Sequence, residues 1–434
     1  MKKYYLIPAL LAFIVALSGC TAGTVSTSVE PLPSDDGAKE LTIEVWDVSG
    51  FYQSAALKFE SETGIDVHLK NTYKPGPSFQ DDYAANEERI QAELMAGKGA
   101  DVYAGIYLNF TDIGKNKHLC RLADWIAADP VFSNDAYYMN VLTSGFKKGN
   151  VYSAPLFIMF NALGSPMEVP ALDGKELNWE AFFNLTKDTK RNGVLYGIDD
   201  YALFRRRFGE SSARFIDEEN KTQNLNSPEL IDLLKQCKQW SAEGLCIPFN
   251  AENYTEMFDN AFFIEYGGGD MDMLTNFRFD NPYLSDEPYY YDIPSDSGKN
   301  DKANKIAPSD YICINAASPS KGTAWRFVKF LLSEEIQATG FFTPVNREAA
   351  AEHVRKNLNE LVDYFKLDTD ANQVIEESKA ILDTVNEVSS HTDPTEIEQI
   401  VFNKNAKRYF NNEISAEEAA KSMAAGVELY FKEQ

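Results

Sequence analysis

The chain predicts an α/β fold with parallel-rich sheets flanked by helices and a helical C-terminus, and three observations carry that reading. Leu41, Ile43 and Val45 alternate with polar residues, Phe51, Ala55 and Phe59 recur every fourth residue, and Ile65, Val67 and Leu69 alternate again. Strand, helix and strand in that order form a βαβ unit, whose crossover makes the two strands parallel. Beyond about residue 345 the apolar spacing is helical throughout. The 434 residues, 44% hydrophobic and 13% aromatic, provide enough core for two domains.

The first residues read as an address rather than as fold. Lys2 and Lys3 precede the apolar run Leu6 to Leu17, too short to span a bilayer, and Leu17-Ser18-Gly19-Cys20 follows. This resembles the lipobox of bacterial lipoproteins, in which the cysteine sulfur is acylated and the peptide is cut in front of it. Residues 1–19 are then a signal peptide and Cys20 the lipidated N-terminus. The stretch 20–40, rich in Ser, Thr, Pro, Asp and Gly, has no apolar periodicity and reads as a flexible, lipid-anchored tether.

After the βαβ unit, Ile90 and Leu94 lie on one face of a helix stopped by Gly97 and Gly99, and ADVYAGIYL reads as a buried strand running into a loop. Asn178 precedes a helix with Trp179, Phe182, Phe183 and Thr186 on one side. Ser227-Pro228 is an N-cap with proline in the first helical position, and Gly244 ends that helix. YICIN is a short strand, and AWRFVKFLLSEE a helix packing through Ala324, Phe327, Val328 and Leu331. Asp393-Pro394-Thr395-Glu396 and Ser415-Ala416-Glu417-Glu418 are capping boxes.

Composition excludes several functions. A net charge of -25 argues against nucleic acid, whose phosphates call for a basic surface. Cys120, Cys237, Cys246 and Cys313 form no CxxC, and the four histidines are scattered, so no metal site and no cofactor are expected. Cys237 and Cys246 flank a helix end, where either a disulfide or two buried thiols would fit.

The order of segments resembles the extracellular solute-binding proteins of the type that includes the maltose-binding proteins. The matching blocks are LTIEVWDVSGFYQSAALKFESETGIDV, ERIQAELMAGKGADVYAG, HLCRLADWIAAD, LNWEAFF, SPELIDLLKQCKQWSAEGL, AWRFVKFLLSEEIQ and TPVNREAA. In VYSAPLFIMFNALGSPMEV, Tyr152 and Pro155 keep the family's Tyr-x-x-Pro, but its later Tyr-Asn is missing near Gly164 to Met167. The resemblance implies a two-lobed, type II periplasmic-binding-protein-like fold, residues 41–155 plus 305–345 forming the first lobe and 156–304 plus 346–434 the second. It further implies a monomeric ABC-importer lipoprotein on the outer face of the membrane. Such a protein captures a small solute, most simply an oligosaccharide, and hands it to permease subunits.

Ligands of open α/β sheets sit beyond the carboxyl ends of strands. That rule selects Asp47, Ser49 and Phe51 after the first strand, Tyr107 and Asn109 after ADVYAG, and Tyr266 and Asp270 around the glycine run 267–269. Asn161 and Phe157 come from the segment that resembles the family's crossover strand. Acids and amides suit sugar hydroxyls, and aromatic rings suit sugar C–H faces. Core packing competes for Trp46 and Phe51, strand bracing for Asp101, a bare turn for the triple glycine, and packing for Tyr289 to Tyr291. The competing functions are a secreted carbohydrate-active enzyme, although no Ser-His-Asp order, HExxH or GxSxG is present, a binder of a non-sugar solute such as polyamine or iron, and a surface adhesion lipoprotein without a closed ligand site.

Overall fold

The computed structural model describes residues 29–46, 50–72, 79–105, 108, 110–145, 150–165, 169–172, 177–189, 193–218, 220–248, 261–269, 289–291, 293–296, 306–365 and 396–433, with 376, 379, 382, 383, 385 and 386. The lipobox through Cys20, Asp47, Ser49, Tyr107, Asn109, Asp270 and the capping sequence Asp393 to Thr395 lie outside these residues.

The first four strands are β1 (Glu40–Val45), β2 (Asp66–Asn71), β3 (Val102–Ala104) and β4 (Ser153–Ser165), followed by β5 (Gly193–Tyr196), β6 (Ile216–Asp217), β7 (Thr222–Gln223) and β8 (Cys246–Ile247). The last four are β9 (Ala261–Gly269), β10 (Tyr289–Tyr291), β11 (Ile306–Ile314) and β12 (Thr343–Pro344). One sheet runs in the order β2-β1-β3-β11-β4-β9-β5-β8, with β10 and β12 also pairing β4, and β6 and β7 form a separate hairpin. β1 is parallel to β2 and β3, as the βαβ reading expects, and β5 is parallel to β8 and β9. Between these two blocks, β3–β11, β11–β4 and β4–β9 are antiparallel. The chain leaves the first block along β4 and returns along β11, so those two strands must run in opposite directions.

The helices up to residue 242 are α1 (Gly50–Thr63), α2 (Phe79–Met95), α3 (Phe110–Lys115), α4 (Leu122–Ala128), α5 (Met139–Leu142), α6 (Trp179–Thr186), α7 (Asp200–Ser211) and α8 (Pro228–Ala242). Then come α9 (Lys321–Leu331), α10 (Glu334–Gln337), α11 (Arg347–Phe365), α12 (Glu396–Val401), α13 (Lys407–Phe410) and α14 (Ala416–Glu433). Their ends follow the local chemistry. Asn178 accepts from the Ala181 amide at 2.8 Å, and Ser227 from the Leu230 amide at 3.3 Å. Ser415 and Glu418 close a reciprocal box, with bonds of 3.1 Å and 2.8 Å. Past α8, Gly244 has φ 72°, and the Gly244 and Leu245 amides donate back to Ser241 and Trp240 carbonyls. Only a residue without Cβ takes that left-handed turn freely.

Two large cores flank the middle of β4. The first joins β1, α1, Ala154 to Ile158 of β4, β11 and α9. The second joins Leu163, Phe263, α6 to α8, and α12 to α14. Ala350, Val354 and Leu358 of α11 pack in the first core, whereas the sequence reading grouped all of 346–434 with the second lobe. Helical periodicity says that α11 has an apolar stripe, and it does not say which core receives it.

The tether expected over 20–40 is fastened to the fold within residues 29–39, while 20–28 lie outside the described residues. The Glu30 carboxylate accepts from the Arg121 amide at 2.7 Å, and the Glu30 amide donates to Asp124 at 2.8 Å. Asp36 accepts from the Gly322 amide at 2.7 Å and from the Thr323 hydroxyl. Ser320 makes no side-chain cap on α9, so Asp36 supplies that cap from far upstream. Residues 29–39 are therefore a strap along the first core.

Cys120, Cys237, Cys246 and Cys313 are all free and buried. Burial pushes the Cys237 and Cys246 thiols up to about 12, so they stay protonated and unreactive.

Candidate ligand-binding cleft

Register alone locates a cleft. Val45 at the end of β1 is level with Ala104, Ala104 with Ile312, and Ile312 with Ala154. From the other side, Gly269 at the end of β9 is level with Phe160. β1 and β3 run towards higher numbers along β4, and β9 runs towards lower ones, so their carboxyl ends face each other across the same stretch. The interval from Ala154 to Phe160 corresponds to roughly 20 Å of strand. That stretch, where β11 and β12 flank β4, lies beyond the facing carboxyl ends, where ligands of α/β sheets bind.

The walls of this stretch combine three elements from the first core. α1 begins just past β1, with Tyr52 buried in its first turn. At the end of β3, Gly105 has φ 64°, and a Cβ there would lie 2.7 Å from Tyr52 Oη and 3.1 Å from Asp310 Oδ1. Glycine thus leaves room for both polar groups beside the strand end. Asp310 itself has φ 52° within β11, a left-handed conformation that acids tolerate better than most side chains but still at a cost. It is partly buried and level with the cleft, since its neighbours Ser309 and Tyr311 pair with Phe157 and Pro155. Burial pushes its carboxyl above the ordinary range, opposed by a bond from the Ser309 hydroxyl at 3.2 Å. An acid inside a strand-forming run was the signal that sequence reasoning passed over.

The sequence-selected residues fall into three groups. Asp47, Ser49, Tyr107, Asn109 and Asp270 lie outside the described residues. Asn161 and Tyr266 lie on adjacent strands, next to a register shift between Phe160 and Ala162 in the β4–β9 pairing; of their side chains only the strand position is described. Phe51 and Phe157 are 3% and 2% exposed, and their rings meet edge to face at 5.1 Å. Both therefore belong to the core rather than offering open faces, because the stripe of α1 that carries Phe51 turns onto the sheet. Asp101 braces the fold, accepting from the Thr42 amide at 2.8 Å and the Ser318 hydroxyl at 2.6 Å. Tyr291 packs against Phe263 and accepts from the Val169 amide at 2.6 Å. Two cavities of about 760 and 730 Å³, one beside Tyr138 and Arg347 and one beside Arg207 and Asp296, lie away from the facing strand ends.

The sequence profile of the bacterial extracellular solute-binding proteins matches residues 47–338. The chain belongs to this family. Membership implies an extracytoplasmic location, and among the described residues no helix is long and apolar enough to cross a membrane. No curated protein matches the chain by sequence. Solved structures match its fold. The maltose/maltodextrin-binding domain from Bdellovibrio bacteriovorus, bound to maltotriose, aligns over 91% of this chain and 100% of its own, with TM-score 0.57 and 15% identity. A substrate-binding protein from Listeria monocytogenes in complex with cycloalternan covers 91% and 99%, with TM-score 0.61 and 13% identity. The GacH receptor of Streptomyces glaucescens, solved unliganded and with acarbose, covers 91% and 99%, with TM-score 0.55 and 16% identity. This solute-binding protein thus has the type II periplasmic-binding fold, with the mixed sheet described above.

Proposed function

We propose that the protein captures an oligosaccharide between two closing lobes and delivers it to the permease of an ABC importer. One lobe comprises residues 41–155 and 305–345 together with α11, and the other 156–304 with α12 to α14. The observation that carries the reading is the facing of the β1, β3 and β9 carboxyl ends across the middle of β4. Only β4 and β11 among the described strands continue from one block into the other, and two strands bend more readily than a packed core. The three fold relatives named above, solved with maltotriose, cycloalternan and acarbose, support the choice of ligand class.

In this reading Cys20 carries the lipid, and Asp47, Ser49, Tyr107, Asn109, Asn161, Tyr266 and Asp270 complete the cleft. Calorimetric titration with maltotriose, maltotetraose, cycloalternan and acarbose tests the ligand class. Saturable heat without sugar release is the expected result; no heat with any of them contradicts an oligosaccharide of this kind, and released sugar identifies an enzyme. Cys20→Ala moves the protein from the membrane to the soluble fraction, and a variant still bound to the membrane removes the lipid anchor from the account.

A further inference from the structure

We infer that Asp310 is a ligand-contacting residue of the cleft, its Oδ1 accepting a hydroxyl of the bound sugar beside Tyr52 Oη. This deepens the oligosaccharide reading and rests on it. Three observations converge on the assignment.

The first is position. Asp310 lies on a strand that passes between the blocks, level with the interval between the facing strand ends, and it is only partly buried. Its Oδ1 and Tyr52 Oη reach the same point beside Gly105, at the carboxyl end of β3. That is where a ligand of an α/β sheet is held.

The second is chemistry. Ser309 donates to Oδ2, which leaves Oδ1 on the Gly105 side as the acceptor turned to the strand end. A carboxylate oxygen next to a phenol suits a sugar hydroxyl, which donates to the first and exchanges a bond with the second. Among the described residues, the buried carboxylates Asp129 and Glu44 of this half are fastened by structural partners. Asp129 meets Lys329 at 2.9 Å and the Trp325 indole at 3.3 Å, and Glu44 meets Arg89 and Thr72.

The third is strain. A non-glycine residue at φ 52° inside a strand is unfavourable, and glycine would adopt the same backbone without penalty. An acid at such a position costs stability that glycine would save, which fits a role in binding. Gly105 opposite has no side chain, so the strain is not compensated by packing against one.

Asp310→Gly separates the two roles. The variant is expected to melt, without sugar, at the same temperature as the wild type or higher. Its affinity for whichever of maltotriose, maltotetraose, cycloalternan or acarbose binds the wild type most tightly should fall at least tenfold. Asp310→Asn, which tolerates the left-handed backbone and keeps one acceptor, should lose less. An Asp310→Gly variant that binds within twofold of wild type overturns the inference. So does one that melts several degrees lower, because Asp310 is then a structural residue. If the wild type binds none of the four sugars, the oligosaccharide reading fails by itself. The melting comparison still decides whether Asp310 serves the fold.

Discussion

The acids that tie the two cores differ in their charge state. The first is tied together by carboxylates held in their charged form. Asp36 caps α9 from the N-terminal strap, and Asp129 receives Lys329, the Trp325 indole and the Val131 amide. Burial pushes both carboxyls up, but these bonds outweigh it and hold both below the ordinary range. The second core is a cluster of rings, with Phe208 packed on Phe204, Phe215 and Phe402. Its polar ties include the Arg207–Asp296 ion pair at 2.6 Å and Glu210, which accepts from the Asp296 amide at 2.8 Å and the Trp179 indole at 3.2 Å. Burial pushes the Glu210 carboxyl up to about 7, and nearby Arg206 only partly offsets that. The difference teaches that Asp36 and Asp129 on one side and Glu210 on the other should respond to pH in opposite senses. Lowered acids contribute stability that is lost as pH falls through their folded values. A raised acid contributes stability that is full below its unfolded value and lost as pH rises towards 7. Asp310 departs from its own half: its carboxyl is raised, and it sits at the cleft.

The larger of two stability effects that sharpen this contrast belongs to Glu210. Glu210→Gln should gain on the wild type by roughly 1–2 kcal/mol between pH 5 and pH 8. Denaturant melts at the two pH values measure it, and an equal difference at both would remove Glu210 as the titrating group. The smaller effect belongs to the strap. Asp36→Ala should cost about 1 kcal/mol at neutral pH, as the loss of a helix cap does. The penalty should shrink in acid, where the wild-type carboxyl is itself protonated. Unchanged stability at pH 7 would mean that the strap does not support α9.

Much of the fold was legible because it is local. The alternation through Val45, the four-residue stripe of α1, and the caps at Asn178, Ser227 and Ser415 are each decided within a few residues. The strap was not legible, since Asp36 caps a helix 286 residues further along, and no local pattern announces such a partner. The core that takes α11 was equally hidden. For the site, the strand-end rule located the facing edges of β1, β3 and β9 but not the side chains. Phe51 and Phe157 carry the right rings for a sugar, yet each finds the other first. Asp310 was missed because a strand pattern tracks apolar residues, while its role depends on backbone twist and on the room that Gly105 leaves.

The central claim is that ligand closes one lobe on the other about β4 and β11. Small-angle X-ray scattering along the sugar titration tests it most directly. The account predicts that the radius of gyration falls in step with the calorimetric saturation curve, because binding favours the closed state. Saturated binding with an unchanged radius of gyration would contradict it and place the sugar on a rigid surface instead.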